Sequence, residues 1–289
     1  MSDISSGQKN QAEEEGAGVV DGLPAGSDCE RVGAWLGRTW EGDCLEVMGM
    51  LPAGSVNMVL CDLPYGTTKN KWDVIIPLDK LWDEYKRVLT PDGVVVLTAA
   101  QPFSSQLVVS KPDWFHYEWV WAKTVGSGQL NIRRRPLVTH EVVLVFSPKT
   151  PPYYPQMEAG EPYRVNRKAE EWDGRGYSRQ RDHTAVNAGV RWPKSVLTVP
   201  NPRIRGGHPT QKPVPLFEYL IRTYTKVGDV VLDNAMGSGT TGVAAVNTGR
   251  RFIGIEKDPT FVGDANMRAA EALKNLVENP DRADKQNRP

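Results

Sequence analysis

The run Val230-Val231-Leu232-Asp233-Asn234-Ala235-Met236-Gly237-Ser238-Gly239-Thr240-Thr241-Gly242 constrains the fold more than any other part of the chain. Apolar residues of strand type end in a carboxylate, a glycine-rich turn follows, and a helical stretch over 240–248 leads to a second strand over 251–256. Strand, glycine turn, helix and strand in that order belong to a parallel sheet covered by helices. Gly237, Gly239 and Gly242 satisfy G-x-G-x-x-G, and Glu256 closes the next strand about 20 residues after the first glycine, the pattern of a dinucleotide site. Two features point elsewhere. Asp233 at the mouth of the loop would face a pyrophosphate, whereas it suits a cationic amino-acid group. The loop also lies near the C-terminus, although a dinucleotide fold would begin with it. A ligand with an ammonium, a ribose and an adenine fits better. S-adenosylmethionine is such a ligand, with Asp233 taking the ammonium, the glycines admitting close backbone approach and Glu256 holding the ribose hydroxyls.

The rest of the chain repeats the alternation. The apolar run 56–61 ends in Asp62-Leu63-Pro64-Tyr65-Gly66, placing a polar and aromatic knot at the carboxyl edge of a sheet, where α/β proteins carry chemistry. A carboxylate beside a backbone carbonyl offers two acceptors for the hydrogens of an amino group on a flat ring. Pro64 fixes the chain direction, so that Tyr65 can present its face to that ring. Helical spacing of Leu78, Leu81, Trp82, Tyr85, Val88 and Leu89 predicts a helix over 78–89, closed by a turn at 90–93. Strands follow at 93–97, 114–121 and 141–146, with a helix over 102–109 between the first two. Order is expected from residues 34–40 onward, with a helical stretch over 45–51. From 149 to 207 periodicity is lost, and a segment of that length inside a compact domain is usually functional. A helix over 216–225, a strand over 229–233 and a terminal helix fading after Val277 complete a doubly wound α/β sheet.

Charge is uneven along the chain. Residues 123–212 hold 16 Lys and Arg against 7 Asp and Glu, a net of +9 within a chain of zero net charge, which points to a polyanionic partner. Residues 1–30 hold seven acidic residues and one Lys and read as a disordered tail. They lack the regions of a signal peptide, and no apolar run approaches the roughly 20 residues that span a bilayer. A cytoplasmic protein without membrane contact is expected. Cys29, Cys44 and Cys61 show neither disulfide nor zinc spacing, and no metal site is read. Cys61 reads as a buried small hydrophobe, because no base lies near it in sequence. His116 and His183 are read as structural or surface groups.

Three segments together resemble a known family. Asp62-Leu63-Pro64-Tyr65, His208-Pro209-Thr210-Gln211-Lys212-Pro213 and the stretch from Asp233 to Thr241 are similar to the catalytic, tenth and first motifs of amino-DNA methyltransferases, in the permuted order called the beta class. The resemblance extends over about residues 36–275 and implies a seven-stranded αβα sandwich of the class I S-adenosylmethionine-dependent type, circularly permuted. Its divisions would be a tail at 1–30, a catalytic half at 31–148, a target recognition insertion at 149–207, a cofactor half at 208–278 and a tail at 279–289. The cofactor would then meet Asp43 and Cys44, similar to the third motif, on its adenine side. Near the methionine end it would meet Asp62, His208, Thr210, Lys212 and Pro213. Asp233, Asn234, Ala235, Met236, Gly237, Ser238, Gly239, Thr240, Thr241, Glu256 and Lys257 complete the implied contacts. Thr139-His140-Glu141 resembles the eighth motif. Leu63 stands where the family usually has Pro, but the position supplies a backbone carbonyl that Leu offers equally well. Asp at position 62 is typical of adenine enzymes, whereas cytosine-amino enzymes usually carry Ser and glutamine-modifying ones Asn.

The implied reaction is direct methyl transfer to the N6 amino group of adenine. The lone pair of that nitrogen is delocalised into the ring, and hydrogen bonds to Asp62 and the Leu63 carbonyl would favour a pyramidal nitrogen aimed at the methyl group. The base must leave the duplex and stack on Tyr65. DNA contact is assigned to Lys123, and phosphate or base contacts to Arg133, Arg134, Arg135, Arg164, Arg167, Lys168, Arg175, Arg179 and Arg181, about half of which are expected to touch DNA. Lys123 and Gly126-Ser127-Gly128 are read as a loop able to close over the flipped base. Of Trp119 and Trp121, at least one is expected in the core. Double-stranded DNA is the expected partner, and a homodimer rests on the resemblance alone. Cytosine-N4 transfer, a nicotinamide dehydrogenase and a non-enzymatic DNA-binding regulator remain the alternatives.

Overall fold

Residues 28–68, 70, 73–168, 182–202 and 211–279 are described in the structure, a computed structural model. The elements in chain order begin with α1 (Asp28–Trp35), β1 (Arg38–Glu41), α2 (Cys44–Met50), β2 (Val56–Cys61), α3 (Leu78–Val88), β3 (Leu89–Ala99) and α4 (Phe103–Ser110). Next come β4 (Phe115–Ser127), a 3-10 turn at Gln129–Asn131 and β5 (Val138–Phe146). The middle of the chain supplies β6 (Glu158–Ala159), β7 (Tyr163–Arg167), β8 (His183–Asn187), β9 (Val190–Arg191) and β10 (Val196–Thr198). The last part supplies α5 (Val214–Tyr224), β11 (Val230–Asp233), α6 (Thr240–Asn247), β12 (Arg251–Glu256) and α7 (Pro259–Glu278).

Among the described residues the main sheet has eight strands in the order β1-β12-β11-β2-β3-β5-β4-β10. Within it β5 runs against its neighbours β3 and β4, while the other pairings are parallel. Successive side chains of a strand face opposite ways, so the sheet feeds two cores. Val59 and Cys61 of β2, with Val95 and Leu97 of β3, pack with Trp35, Met48, Tyr85 and Phe103 from the first half of the chain. Met58 and Leu60 of β2, with Val94 and Val96 of β3, pack instead with Phe217, Leu220, Ala244 and Ala269 from the second half. Helices α1 to α4 therefore cover one face and α5 to α7 the other. Burying each Leu, Val, Phe or Met side chain of these cores contributes about 1.5–3 kcal/mol.

The expected alternation is present, with three differences. Strand β3 begins at Leu89, ahead of the turn expected at 90–93, because a register shift between the pairs Val56↔Leu89 and Met58↔Val94 carries Thr90 to Gly93 within the strand. An eighth strand, β10, adds to the seven expected. It lies inside the stretch without periodicity and pairs Val196, Leu197 and Thr198 with Val120, Trp121 and Ala122 of β4, burying Leu197. In the same stretch β6 pairs with β9 and β7 with β8, two small sheets apart from the main one. No helix among the described residues is long and apolar enough to cross a membrane.

The chain leaves β2 toward β3 on one side and β11 toward β12 on the other. Adjacent strands β11 and β2 thus flank the point where the winding reverses, and the crevice outside their carboxyl ends is where such sheets bind ligands.

Candidate active site

That crevice opens into a cavity of about 1080 Å³. Strand ends deliver its polar groups: Asp62 from β2, Asp233 from β11, Glu256 from β12 and Asp43 just after β1. Because β5 is antiparallel, its beginning faces the same edge and contributes Val138 and Glu141. One continuous cavity therefore joins the Asp62 knot to the glycine-rich loop.

Asp62 is the centre of a polar cluster. Its Oδ1 accepts from the Tyr65 hydroxyl at 2.6 Å and from the Thr98 hydroxyl at 2.5 Å, and its Oδ2 accepts from the Lys212 ammonium at 2.5 Å. The Lys212 ammonium also lies 3.3 Å from Glu141 Oε2, while Glu141 Oε1 accepts from Lys123. Burial works against the Lys212 charge, but Asp62 and Glu141 outweigh it and raise its pKa, so it remains an ammonium. Burial and the neighbouring Asp62 charge push the Tyr65 phenol well above its usual range, so it acts as a donor. Its ring stacks on Phe103 with centroids 5.4 Å apart at 26°, which leaves it fixed as a flat wall of the cavity.

Backbone geometry fixes the loop at the other end. Gly239 caps α6 with φ +81°, and a Cβ there would lie 2.7 Å from the Ala265 Cα of α7, so only glycine fits. The side chain of Arg268 on α7 donates to the Ser238 carbonyl and pins the turn. Glu256 accepts from the amides of Gly237 at 2.7 Å, Lys257 at 2.8 Å and Asp258 at 3.0 Å. Asp233 is only 3% exposed, accepting from the Thr241 hydroxyl at 2.5 Å and the Ala235 amide at 3.1 Å. Burial pushes its carboxyl up to about 6. Asn234 accepts from the Tyr85 hydroxyl at 2.7 Å, while its Nδ2 is buried without a partner and lines the cavity region.

The cavity brings together Asp43, Cys44, Asp62, Leu63, Pro64, Tyr65, Lys212, Asp233, Asn234, Ala235, Met236, Gly237, Ser238, Thr240, Thr241, Glu256 and Lys257. Gly239 and Pro213 stand behind it as the N-caps of α6 and α5. His208, Thr210, Arg175, Arg179 and Arg181 lie outside the described residues. Arg133, Arg134, Arg135, Arg164 and Lys168 are exposed, and Arg167 ends β7. Lys123 lines the cavity: its side chain is 9% exposed, paired with Glu141 and set over the Trp121 ring at 5.1 Å. Strand alternation explains this, since Lys123 follows the buried Trp119 and Trp121 on the same face of β4.

Cys61 is fully buried and its thiol is pushed well above the usual range by burial, with Asp233 adding to the effect. Trp119 and Trp121 are both buried, their indole N–H groups donating to Tyr224 Oη and the Val199 carbonyl. The His116 ring contacts the Ser147 carbonyl at 3.2 Å, and His183 lies on the exposed strand β8. Two functional groups had no signal in the sequence. Thr98 reaches Asp62 across 36 positions, and Asp73 accepts from the amides of Gly66, Thr67 and Thr68 at 2.6–2.9 Å, shaping the loop after the knot.

Comparison with known proteins agrees with this architecture. A type II methyltransferase, M.XycI from Xanthomonas campestris pv. cyanopsidis, is 26% identical over 82% of this chain and 89% of its own length. Among solved structures, the complex of M1.HpyAVI with SAM superposes with a TM-score of 0.55 at 24% identity, covering 80% of this chain and 98% of that one. The cytosine-N4-specific PvuII DNA methyltransferase gives 0.57 at 18% identity, covering 83% and 92%. These likenesses identify the fold as that of class I methyltransferases. Residues 56–267, from the strand that delivers Asp62 through the glycine-rich loop and into α7, match the N6/N4 methyltransferase family, described as DNA methylase, and the chain belongs to that family.

Proposed function

We propose that this DNA methylase transfers the methyl group of S-adenosylmethionine to the N6 amino nitrogen of adenine in double-stranded DNA. One observation carries the reading: Asp62, Leu63 and the flat ring of Tyr65 share a single cavity with the glycine-rich loop, Asp233 and Glu256. The residues present suit the cofactor. Asp233 and the unpartnered Nδ2 of Asn234 offer an acceptor and a donor beside the loop. A carboxylate has about four lone-pair sites. Glu256 uses three on backbone amides and keeps one for a hydroxyl. When bound, the sulfonium of the cofactor supplies an electrophilic methyl group.

The chain's own residues then act on the amine. Asp62 accepts one amino hydrogen and the Leu63 carbonyl the other, which draws the nitrogen lone pair out of conjugation. Tyr65, held by Phe103 and Asp62, stacks on the extruded base and sets its plane. Lys212 yields Asp62 Oδ2 to the incoming amine while Glu141 receives the ammonium. Positioning of this kind supplies much of the rate in a direct displacement.

The order of the segments supports a permuted, beta-class arrangement, because the catalytic strand β2 precedes the cofactor-side strand β11 in the chain. The exposed cations Arg133, Arg134, Arg135, Arg164 and Lys168 suit a phosphate track, and 149–207 suits target recognition. Incubation of unmethylated plasmid with methyl-labelled S-adenosylmethionine, followed by nucleoside analysis, tests the reading. N6-methyladenine that is lost in Asp62→Ala is the expected result. Label on cytosine would move the assignment to N4 transfer, and DNA that stays unlabelled would overturn it.

A further inference from the structure

The hairpin joining β4 to β5 ends in an exposed tip that carries both apolar and basic side chains. Ser127 and Val138 pair with each other and both line the cavity, so residues 128–137 project directly from its rim. Every residue from 129 to 137 is exposed. Leu130 is 101% exposed and Ile132 61%, and Arg133, Arg134 and Arg135 follow immediately. The tip is nonetheless folded: Gln129 Nε2 donates to the Gly126 carbonyl at 2.6 Å, and the amides of Asn131 and Arg134 donate to Gly128 and Asn131 at 2.9 and 2.8 Å. Its apolar residues are thus presented to solvent by a defined turn.

A Leu held fully in water and an exposed Ile beside a run of guanidinium groups suit a partner that is anionic outside and apolar inside. A stacked duplex has that composition: phosphates for the arginines and base faces for an aliphatic wedge. We infer that the 128–137 tip is a wedge, with Leu130 entering the stack at the space the target base leaves and Arg133, Arg134 and Arg135 holding the flanking phosphates. The inference deepens the proposed function and rests on it. Removing one base from a stack costs free energy that cavity contacts alone must otherwise supply. A wedge rooted on the cavity rim fills the gap while the base occupies the cavity.

Single-turnover methylation by the full chain tests this, using short duplexes built around a position methylated in plasmid DNA. One duplex is fully paired and a second carries an abasic site opposite the target base, which makes extrusion easier. Leu130→Ala removes a side chain that contacts only solvent, so folding is retained. The variant should be slower by about tenfold to a hundredfold on the paired duplex and within about twofold of wild type on the abasic one. Equal slowing on both, or no slowing on either, would overturn the wedge while leaving the methylation reading intact. Wild-type protein that methylates no position of the plasmid would overturn the two together. Loss of co-sedimentation with anionic phosphatidylserine vesicles in Leu130→Ala, with unchanged rates on paired DNA, would assign the tip to a membrane surface instead.

Discussion

The Lys212 ammonium lies between two carboxylates, 2.5 Å from Asp62 Oδ2 and 3.3 Å from Glu141 Oε2, although 150 positions separate it from Asp62 in the chain. Glu141 Oε2 is buried and receives no aligned hydrogen bond. Removing the cation would leave two carboxylates facing each other. Lys212→Met should therefore lower stability by about 3–5 kcal/mol in denaturant melts, and Glu141→Gln in the same background should restore part of the loss. Its folded pKa is raised, so the Lys212 contribution is fully present below its ordinary value of 10.5 and is lost as pH rises from there through the folded pKa. Melts between neutral pH and 9 should show no slope from this group; a loss of stability across that window that vanishes in Lys212→Met would contradict the arrangement.

Asp233 should make cofactor binding pH-dependent. Its folded pKa of about 6 lies above the ordinary 3.8, so its contribution to stability is greatest below the ordinary value and is lost as pH rises through 6. A cationic ligand group acts in the opposite sense, since it favours the ionised carboxylate. Calorimetric affinity for S-adenosylmethionine should fall by up to about tenfold per pH unit below that pKa and level off above it. Asp233→Asn should bind weakly and lose the dependence, while a pH-independent wild-type affinity would argue against contact with Asp233.

Chemistry and binding should separate at Asp62 and Tyr65. Asp62→Ala should reduce methyl transfer by about three orders of magnitude or more, since positioning of the nucleophile is lost, with a much smaller loss of cofactor affinity. Tyr65→Phe keeps the ring that stacks on Phe103 but removes the hydrogen bond to Asp62, and the rate should fall by about tenfold. Rapid-quench rates beside equilibrium titrations distinguish these outcomes.

Gly239 should tolerate no side chain. Gly239→Ala introduces a left-handed alanine whose Cβ meets Ala265, and it should cost about 1–3 kcal/mol as well as weaken cofactor binding through displacement of α7. Gly228→Ala also meets positive φ but open space, so it should cost about 1 kcal/mol from strain alone. Comparing the two melts isolates the steric part.

Local patterns made much of this molecule legible. Strands β2, β11 and β12 announce themselves as apolar runs ending in Asp62, Asp233 and Glu256, and the glycines between β11 and α6 require their turn. What stayed hidden depends on contacts distant in sequence. β10 is three residues whose strand character comes from pairing with β4 some 76 positions away, as Val196↔Val120 shows. The chain of charges from Lys123 through Glu141 and Lys212 to Asp62 exists because an antiparallel strand turns its first residues to the carboxyl edge. Nothing about Lys123 in isolation distinguishes it from the surface cations that follow.

The position of β10 has a consequence for how such an enzyme can change. Phe146 ends β5 at the edge of the sheet away from the cavity, and the chain rejoins the sheet through β10 as its outermost strand, with Asn201 and Pro202 next to the cavity. Among the described residues between those two points, β6 to β9 pair only with one another, in two small sheets apart from the main one. The proposed target recognition segment can therefore differ in length and sequence without altering the order of the inner strands.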